Sequence, residues 1–207
     1  MNFNALLFLK HVTLCCVCVF GDKLTEYVQN PALSRACIDN ATHAFIGCVA
    51  AEIVLHSFKY QLARQEYCLL LFTGMIVSSF IDLDHFIEAR SFSLQEATHL
   101  RRRPFLHNSA ICVIILMLLI LTKRVGSIKC GLFIAMAFIA FSTHHLRDAT
   151  RRGIWIKLPF QDSSSPAIPY VAYLVLVNII PHVIHHLLQT TLSNSSSVPK
   201  MKLVEMV

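Results

Sequence analysis

Long apolar runs alternate with short polar segments along the whole chain. A helix that crosses the hydrocarbon core of a bilayer needs about 20 residues, with a range near 17 to 25. Three of the runs reach this length, and the second nearly does. Lipid cannot satisfy exposed backbone polar groups, and the alternating pattern of an outer-membrane barrel is absent, so helices are expected. The pattern predicts an all-α, polytopic transmembrane helical bundle with about five to six membrane helices. The six runs are Ala5–Phe20, Ala41–Phe58, Tyr67–Ile87, Ser109–Thr122, Cys130–Leu146 and Ile168–Leu188.

The two ends of the chain differ from its middle. Residues 31–190 form the predicted transmembrane helical domain, in which Gln161–Pro166 reads as a polar loop. Residues 1–30 form a poorly defined apolar segment, because Lys10 interrupts its run. It resembles a signal-peptide core without the basic start or the Ala-x-Ala site, and we expect a poor span or an interfacial helix. Residues 191–207 are Ser-rich at their start and predict a disordered tail.

Composition supports a membrane location. The chain is 55% hydrophobic and 14% charged, whereas a soluble domain has about 25% charged residues. The net charge of +6 comes mainly from basic residues between the apolar runs, as expected for loops beside the headgroups of a lipid bilayer. No basic helix or aromatic platform indicates nucleic-acid binding. The eight cysteines include no CxxC pair, which argues against a zinc ribbon or a thioredoxin-type site. Protein partners are not indicated.

Ionisable residues inside the spans suggest a site. Such residues are costly in a membrane and invite a functional hypothesis. Consecutive spans alternate in direction, so seven of these residues fall on one membrane side. Carboxylate–histidine pairs on facing helices build metal centres in helical bundles, and these ligands suit a divalent zinc, iron or manganese ion. A lone histidine is more often a packing group, so the prediction depends on the whole set. The predicted metal ligands are His43, Asp82, His107, His144 and Asp148, with Asp84 and His85 beside them.

Spacing within the spans refines this prediction. Asp82 and His85 are three residues apart, and His144 and Asp148 are four apart, so each pair shares a helix face. Asp82 and Asp84 can bind one ion only if the helix end unwinds. The remaining intramembrane histidines, His182, His185 and His186, fall toward the opposite membrane side and read as interfacial polar groups.

Basic loop residues give an orientation and a possible anion site. Ten of them, Arg147 included, flank the predicted site, against seven on the opposite side. This bias predicts that the site faces the cytoplasm. Arg102 and Arg103, close to His107, could bind a phosphate or a lipid headgroup. A topology anchor is the alternative interpretation of this arginine cluster.

Four motifs stand out between roughly residues 35 and 190: Asp39–His43, Phe80–His85, Arg101–His107 and Thr143–Asp148. Together they resemble the transmembrane protein 267 family. More distantly, their order is similar to a bacterial group of inner-membrane proteins assigned as metal-dependent hydrolases. This chain has Arg102 where the bacterial group has a histidine, and Pro104 where that group has a glycine. The differences could mean weakened metal binding or a pseudo-enzyme.

The resemblance implies a membrane-embedded metal-dependent hydrolase. Asp84 or His85 would act as general base, and the substrate would be a lipid or a lipid-linked phosphoester. Two alternatives stay open. One is a non-enzymatic scaffold or assembly protein, in which polar residues join the helices. The other is a metal or proton transporter, which the apolar centres Ile111–Leu121 and Gly131–Phe141 disfavour.

Overall fold

The computed structural model describes residues 3–28, 30–125 and 127–193, so most of the predicted tail lies outside the described residues. Its helices are α1 (Phe3–Tyr27), α2 (Ala32–Val54), α3 (Arg64–Phe80), α4 (Asp84–Ala89), α5 (Leu94–Thr98), α6 (Ala110–Val125), α7 (Ile128–Arg152) and α8 (Tyr170–Ser193). Two 3-10 turns, Ile81–Leu83 and Phe105–His107, and two strands, β1 (Trp155–Leu158) and β2 (Gln161–Ser164), complete the described elements.

Five segments are long and apolar enough to cross a bilayer, which confirms the polytopic all-α prediction. They are Ala5–Tyr27, Ala32–Val54, Arg64–Ala89, Ile128–Arg152 and Tyr170–Gln189. Helix α6 has 16 residues and is therefore about 24 Å long, shorter than the hydrocarbon core of about 30 Å. Phe105 and Leu106 do not extend it, because Asn108 is in an extended conformation.

Helix α1 gives the N-terminal segment a regular structure. Its Leu14 and Cys18 are fully buried in the core. Lys10, the residue that interrupts the apolar run, has its Nζ 2.6 Å from Glu52 Oε1 of α2. Pairing of this kind offsets much of the cost of burying a charge. The segment left undefined by the sequence is therefore a membrane-length helix that packs on α2 and α8.

Helices α2 and α3 approach closely through two glycines. A Cβ atom on Gly47 would lie 2.7 Å from the Gly74 carbonyl oxygen, and one on Gly74 would lie 2.9 Å from Ala51 Cβ. Small residues allow helices in a membrane to pack backbone against backbone. This contact fixes the end of α3 beside α2, where the candidate site begins.

A β-hairpin occupies the connection after α7, part of which was predicted as a polar loop. Strands β1 and β2 pair antiparallel, with Trp155 opposite Ser164. Asn108 ties the hairpin to the start of α6: its Nδ2 donates to the Lys157 carbonyl oxygen at 2.8 Å, and its Oδ1 accepts from the Lys157 amide at 3.0 Å. The hairpin therefore lies next to the segment that carries His107.

Candidate metal centre

The end of the third span supplies two carboxylates on either side of one imidazole. After α3 the chain tightens into the 3-10 turn Ile81–Leu83 before α4 begins at Asp84. Asp82 Oδ1 lies 3.5 Å from His107 Nε2, and Asp84 Oδ1 lies 3.3 Å from His107 Nδ1. The departure from α-helical geometry brings both residues to His107, one at each ring nitrogen.

Helix α7 supplies a histidine and a carboxylate one turn apart. His144 Nε2 lies 3.5 Å from Asp148 Oδ2. The other ring nitrogen of His144, Nδ1, lies 2.9 Å from the Ser78 carbonyl oxygen, so it is the donor in this bond. A neutral imidazole with a protonated Nδ1 presents the lone pair of Nε2, which is how many metal-binding histidines are oriented.

Four ligand atoms meet at one point between α3, α7 and the 3-10 turn that precedes α6. The two imidazole Nε2 atoms, of His107 and His144, are 3.2 Å apart. Their distances to Asp82 Oδ1 and Asp148 Oδ2 range from 3.3 to 3.6 Å. A regular tetrahedron with metal–ligand bonds of 2.0 to 2.1 Å has edges of about 3.3 to 3.4 Å. These atoms therefore match five of the six separations within a tetrahedral site.

His43 extends this cluster from α2. Its ring stacks on that of His144, with centroids 3.8 Å apart, and it is almost fully buried. Its Nε2 lies 3.5 Å from Asp148 Oδ1. Neither ring nitrogen makes a hydrogen bond of acceptable geometry within the described part of the chain. His43, His144 and Asp148 thus form a second group with the spacing of metal ligands.

Asp84 and His85 line the other side of His107. Asp84 Oδ2 accepts a hydrogen bond from the Leu106 amide at 2.6 Å, and its Oδ1 lies 3.3 Å from His85 Nδ1. Together with His107 they form a third group with the spacing of metal ligands. A carboxylate at Nδ1 of a histidine also fixes the orientation of the ring.

The carboxylates dominate the electrostatics around His107. Burial alone lowers the pKa of this imidazole, but hydrogen bonds with Asp148, Asp82 and Asp84 outweigh burial and raise its pKa to about 11. A centre that attracts a proton so strongly also attracts a metal cation, which competes for the same lone pair.

The two arginines predicted to bind a headgroup lie in different surroundings. Arg103 lines a small cavity that also contains His107 and Asp148. Arg102 lines a separate, open cleft that contains Glu88 and Glu96. Of the two, Arg103 is the one next to the metal-binding candidates.

A buried ion-pair network beside the site was missed by sequence reasoning. Arg147, which was counted as a loop charge, is fully buried in α7. Its Nε lies 2.7 Å from Asp22 Oδ1, and its Nη2 lies 2.7 Å from Asp39 Oδ1. The presence of an arginine and an aspartate within the motifs Thr143–Asp148 and Asp39–His43 was the available signal.

The histidines near the C-terminal end of α8 lie apart from the site. His182 stacks on His11 of α1, with ring centroids 4.6 Å apart. His185 Nδ1 lies 3.0 Å from the Val54 carbonyl oxygen at the end of α2. These contacts join α8 to α1 and α2.

Comparisons with known proteins give the family. A protein from Bos taurus, "Transmembrane protein 267", is 32% identical over 170 residues, which cover 80% of this chain and 75% of that protein. Proteins of the same name from Xenopus laevis and Danio rerio are each 34% identical; they cover 80% of this chain and 75% and 72% of their own lengths. The chain belongs to the transmembrane protein 267 family. Its multi-pass membrane character agrees with that family name. No family model and no solved structure matches this member of the transmembrane protein 267 family.

Proposed function

We propose that this protein is a membrane-embedded, metal-dependent hydrolase that acts on a phosphoester of a lipid or lipid-linked molecule at the membrane interface. The observation that carries the proposal is that two imidazole nitrogens 3.2 Å apart share two carboxylate oxygens, each of which lies 3.3 to 3.6 Å from both nitrogens. The excess of basic residues in the flanking loops suggests that the site faces the cytoplasm.

The residues present fit a divalent transition metal such as zinc, iron or manganese. Asp82, His107, His144 and Asp148 would hold the ion, and His43 would complete the ligand set through the carboxylate of Asp148. A buried histidine without a hydrogen-bond partner among the described residues is costly, and a cation beside it would offset that cost. The bound ion would supply a Lewis acid that polarises a phosphoryl oxygen and lowers the pKa of water.

The other residues of the site would orient groups and move a proton. Asp84 would hold Nδ1–H of His107, so that Nε2 points toward the four-atom centre. The imidazole of His85 would accept a proton from the attacking water. The water oxygen would then bond to phosphorus as the ester bond breaks, with the proton passing to the departing alcohol. The similar motif order in the bacterial group assigned as hydrolases supports this class of reaction.

Metal content of the full-length, detergent-purified protein tests the proposal. Purification should use a tag without histidines, followed by elemental analysis of the wild type, Asp82→Asn and His144→Gln. We expect about one equivalent of a transition metal in the wild type, and a large loss in both variants, because each removes one of four ligands.

His99→Gln is the matched control, since His99 is exposed and its side chain contacts only its neighbours Thr98 and Gln95 among the described residues. Its metal content should equal that of the wild type. A wild-type protein without transition metal would contradict the proposal. Variants that lose abundance but keep a full equivalent of metal in the folded fraction would also contradict it. That result is expected of a scaffold protein whose polar residues only join helices.

A further inference from the structure

A small cavity connects the outside of the protein to the candidate metal centre. Its volume is about 30 Å³, and its mouth is open to solvent. Its lining includes His107 and Asp148, the pair whose Nε2 and Oδ2 atoms lie 3.3 Å apart. A molecule in this cavity would therefore touch the proposed metal ligands. The remaining lining residues are Arg103, Pro104, Ser109, His145, Arg152, Gly153 and Trp155.

Arg103 is held in the wall of this cavity by backbone carbonyl groups. Its Nη1 donates to the Gly153 carbonyl oxygen at 3.2 Å, and its Nη2 donates to the Arg152 carbonyl oxygen. A guanidinium has five N–H donors, so three remain for another acceptor. Gly153 has φ of 69°, and a Cβ there would collide with the Ser165 carbonyl oxygen. The backbone that positions Arg103 therefore depends on this glycine.

Arg152 places a second guanidinium at the same cavity. The side chain is exposed, and no hydrogen bond or ion pair of it is found among the described residues. Burial of the Arg103 guanidinium and the neighbouring charge of Arg152 both lower the pKa of Arg103. The nearby carboxylate of Asp148 is engaged with imidazoles. Two like charges at one cavity repel, and a dianion between them would relieve that repulsion.

We propose that this cavity binds the terminal phosphate of a phosphomonoester, with Arg103 and Arg152 contacting its non-bridging oxygens. Arginine forks match phosphate oxygens in geometry and charge. A phosphomonoester carries about two negative charges at neutral pH, equal to the two guanidiniums, whereas a diester carries only one. A monoester also has a single substituent, which can leave through the open mouth while phosphorus faces the inner end.

This assignment deepens the proposed function and rests on it for the hydrolytic step, but the binding of the anion can be measured separately. It also assigns to Arg152 the headgroup contact that the sequence had suggested for Arg102. The phosphate could belong to a membrane lipid or to a soluble molecule. Exposed aromatic residues belong to the same segments as the lining residues: Phe105, 71% exposed, follows Pro104, and Phe160, 102% exposed, lies at the tip of the hairpin that begins at Trp155. Such residues suit the membrane interface and favour the lipid source.

The test is ligand binding to the full-length protein in detergent, before and after chelation of metal. The probes are short-chain phosphatidate, short-chain phosphatidylcholine, glycerol 3-phosphate and inorganic phosphate. The wild type should bind phosphatidate at least tenfold more tightly than phosphatidylcholine. Arg152→Gln should weaken phosphatidate binding at least tenfold with and without metal. The phosphatidate affinity of Arg152→Lys should lie between those of the wild type and Arg152→Gln. Arg152 is the first choice because Arg103 also holds backbone carbonyls and its loss could disturb folding.

Arg102→Gln is the matched control, because Arg102 is exposed and is next to Arg103 in the sequence but lines a separate cleft. It should bind phosphatidate within twofold of the wild type. Equal weakening by Arg102→Gln and Arg152→Gln would overturn the assignment, and so would equal affinity for phosphatidate and phosphatidylcholine. Glycerol 3-phosphate binding as tightly as phosphatidate would support the site with a soluble ligand. Asp82→Asn separates the two proposals: it should lose metal yet keep the Arg152-dependent affinity, whereas Arg152→Gln should keep its metal.

Discussion

Replacement of Arg147 by methionine tests whether the buried ion-pair network holds α1 and α2 against α7. Methionine keeps much of the length and the apolar stem of arginine but removes the charge. Asp22 of α1 and Asp39 of α2 would each lose a partner at 2.7 Å. The variant would leave two carboxylates at an interface from which their main counter-charge has gone.

The structure sets the size of the expected effect. Removing one partner of a fully buried ion pair costs about 3 to 5 kcal/mol. Here the side chains of Asp22 and Asp39 keep 15% and 27% exposure. Tyr170 still donates to Asp22 at 3.0 Å, and Arg151 still contacts Asp39 at 3.0 Å. These remaining contacts reduce the expected loss of unfolding free energy to about 2 to 3 kcal/mol, or roughly 4 to 12 °C in Tm.

Heating of detergent-purified protein, followed by size-exclusion chromatography of the fraction that remains folded, gives the apparent Tm. Arg151→Met is the matched control: Arg151 is one turn further on in α7, and its side chain is 42% exposed. Exposed pairs contribute at most about 1 kcal/mol, so its Tm should fall by only a few degrees. The combination Arg147→Met, Asp22→Asn and Asp39→Asn should be more stable than Arg147→Met alone. A Tm for Arg147→Met equal to that of Arg151→Met would refute the reasoning.

Two further variants test the packing of the helices and the orientation of a ligand. Gly47→Val should lower the free energy of unfolding by about 1 to 3 kcal/mol, because its Cβ would meet the backbone of α3; the same heating assay measures this. Gly131→Ala, whose nearest contact is a side-chain oxygen at 3.3 Å, should leave Tm nearly unchanged. Asp84→Asn should weaken metal binding by about 10- to 100-fold, because the carboxylate orients His107, while the amide oxygen of Asn can still accept from the Leu106 amide and limit the loss of stability. A metal titration checks this, with the exposed Glu88→Gln as control; equal affinities would exclude that role.

The sequence predicted the placement of the candidate ligands because alternation of the helices determines which ends meet. His107 precedes α6 and His144 lies in the second half of α7, so antiparallel packing brings both to the end of the third span. His43 lies in the middle of α2 and not at its start, because this helix begins nine residues before the predicted apolar run. The apolar runs predicted the spanning helices because a run of about 20 apolar residues has few other structures available in a bilayer. Both inferences depend only on chain direction and length.

Details that depend on contacts distant in sequence could not be predicted. Arg147 lies next to loop arginines in the sequence, and its partner Asp22 is 125 residues away in a run whose status was uncertain. Lys10 lowers the apolar character of that run, but the 2.6 Å contact with Glu52 removes much of its cost. The hairpin Trp155–Ser164 is short and mostly exposed, so it lacks the apolar alternation that identifies a strand.

Two kinds of buried polar group therefore exist in this bundle, and they differ in how well they are satisfied. The guanidinium of Arg147 has oxygen partners at 2.7 Å from Asp22 and Asp39, as expected of a group that joins helices. In the candidate centre, by contrast, the Nε2 atoms of His107 and His144 face each other at 3.2 Å, and His43 has no hydrogen bond within the described chain. A role in joining helices explains the contacts of Arg147. It does not explain the buried nitrogens of His43, whose lack of hydrogen bonds costs free energy. A cation among the four facing ligand atoms would account for their spacing, and its charge would offset the cost of the His43 nitrogens that lack hydrogen bonds.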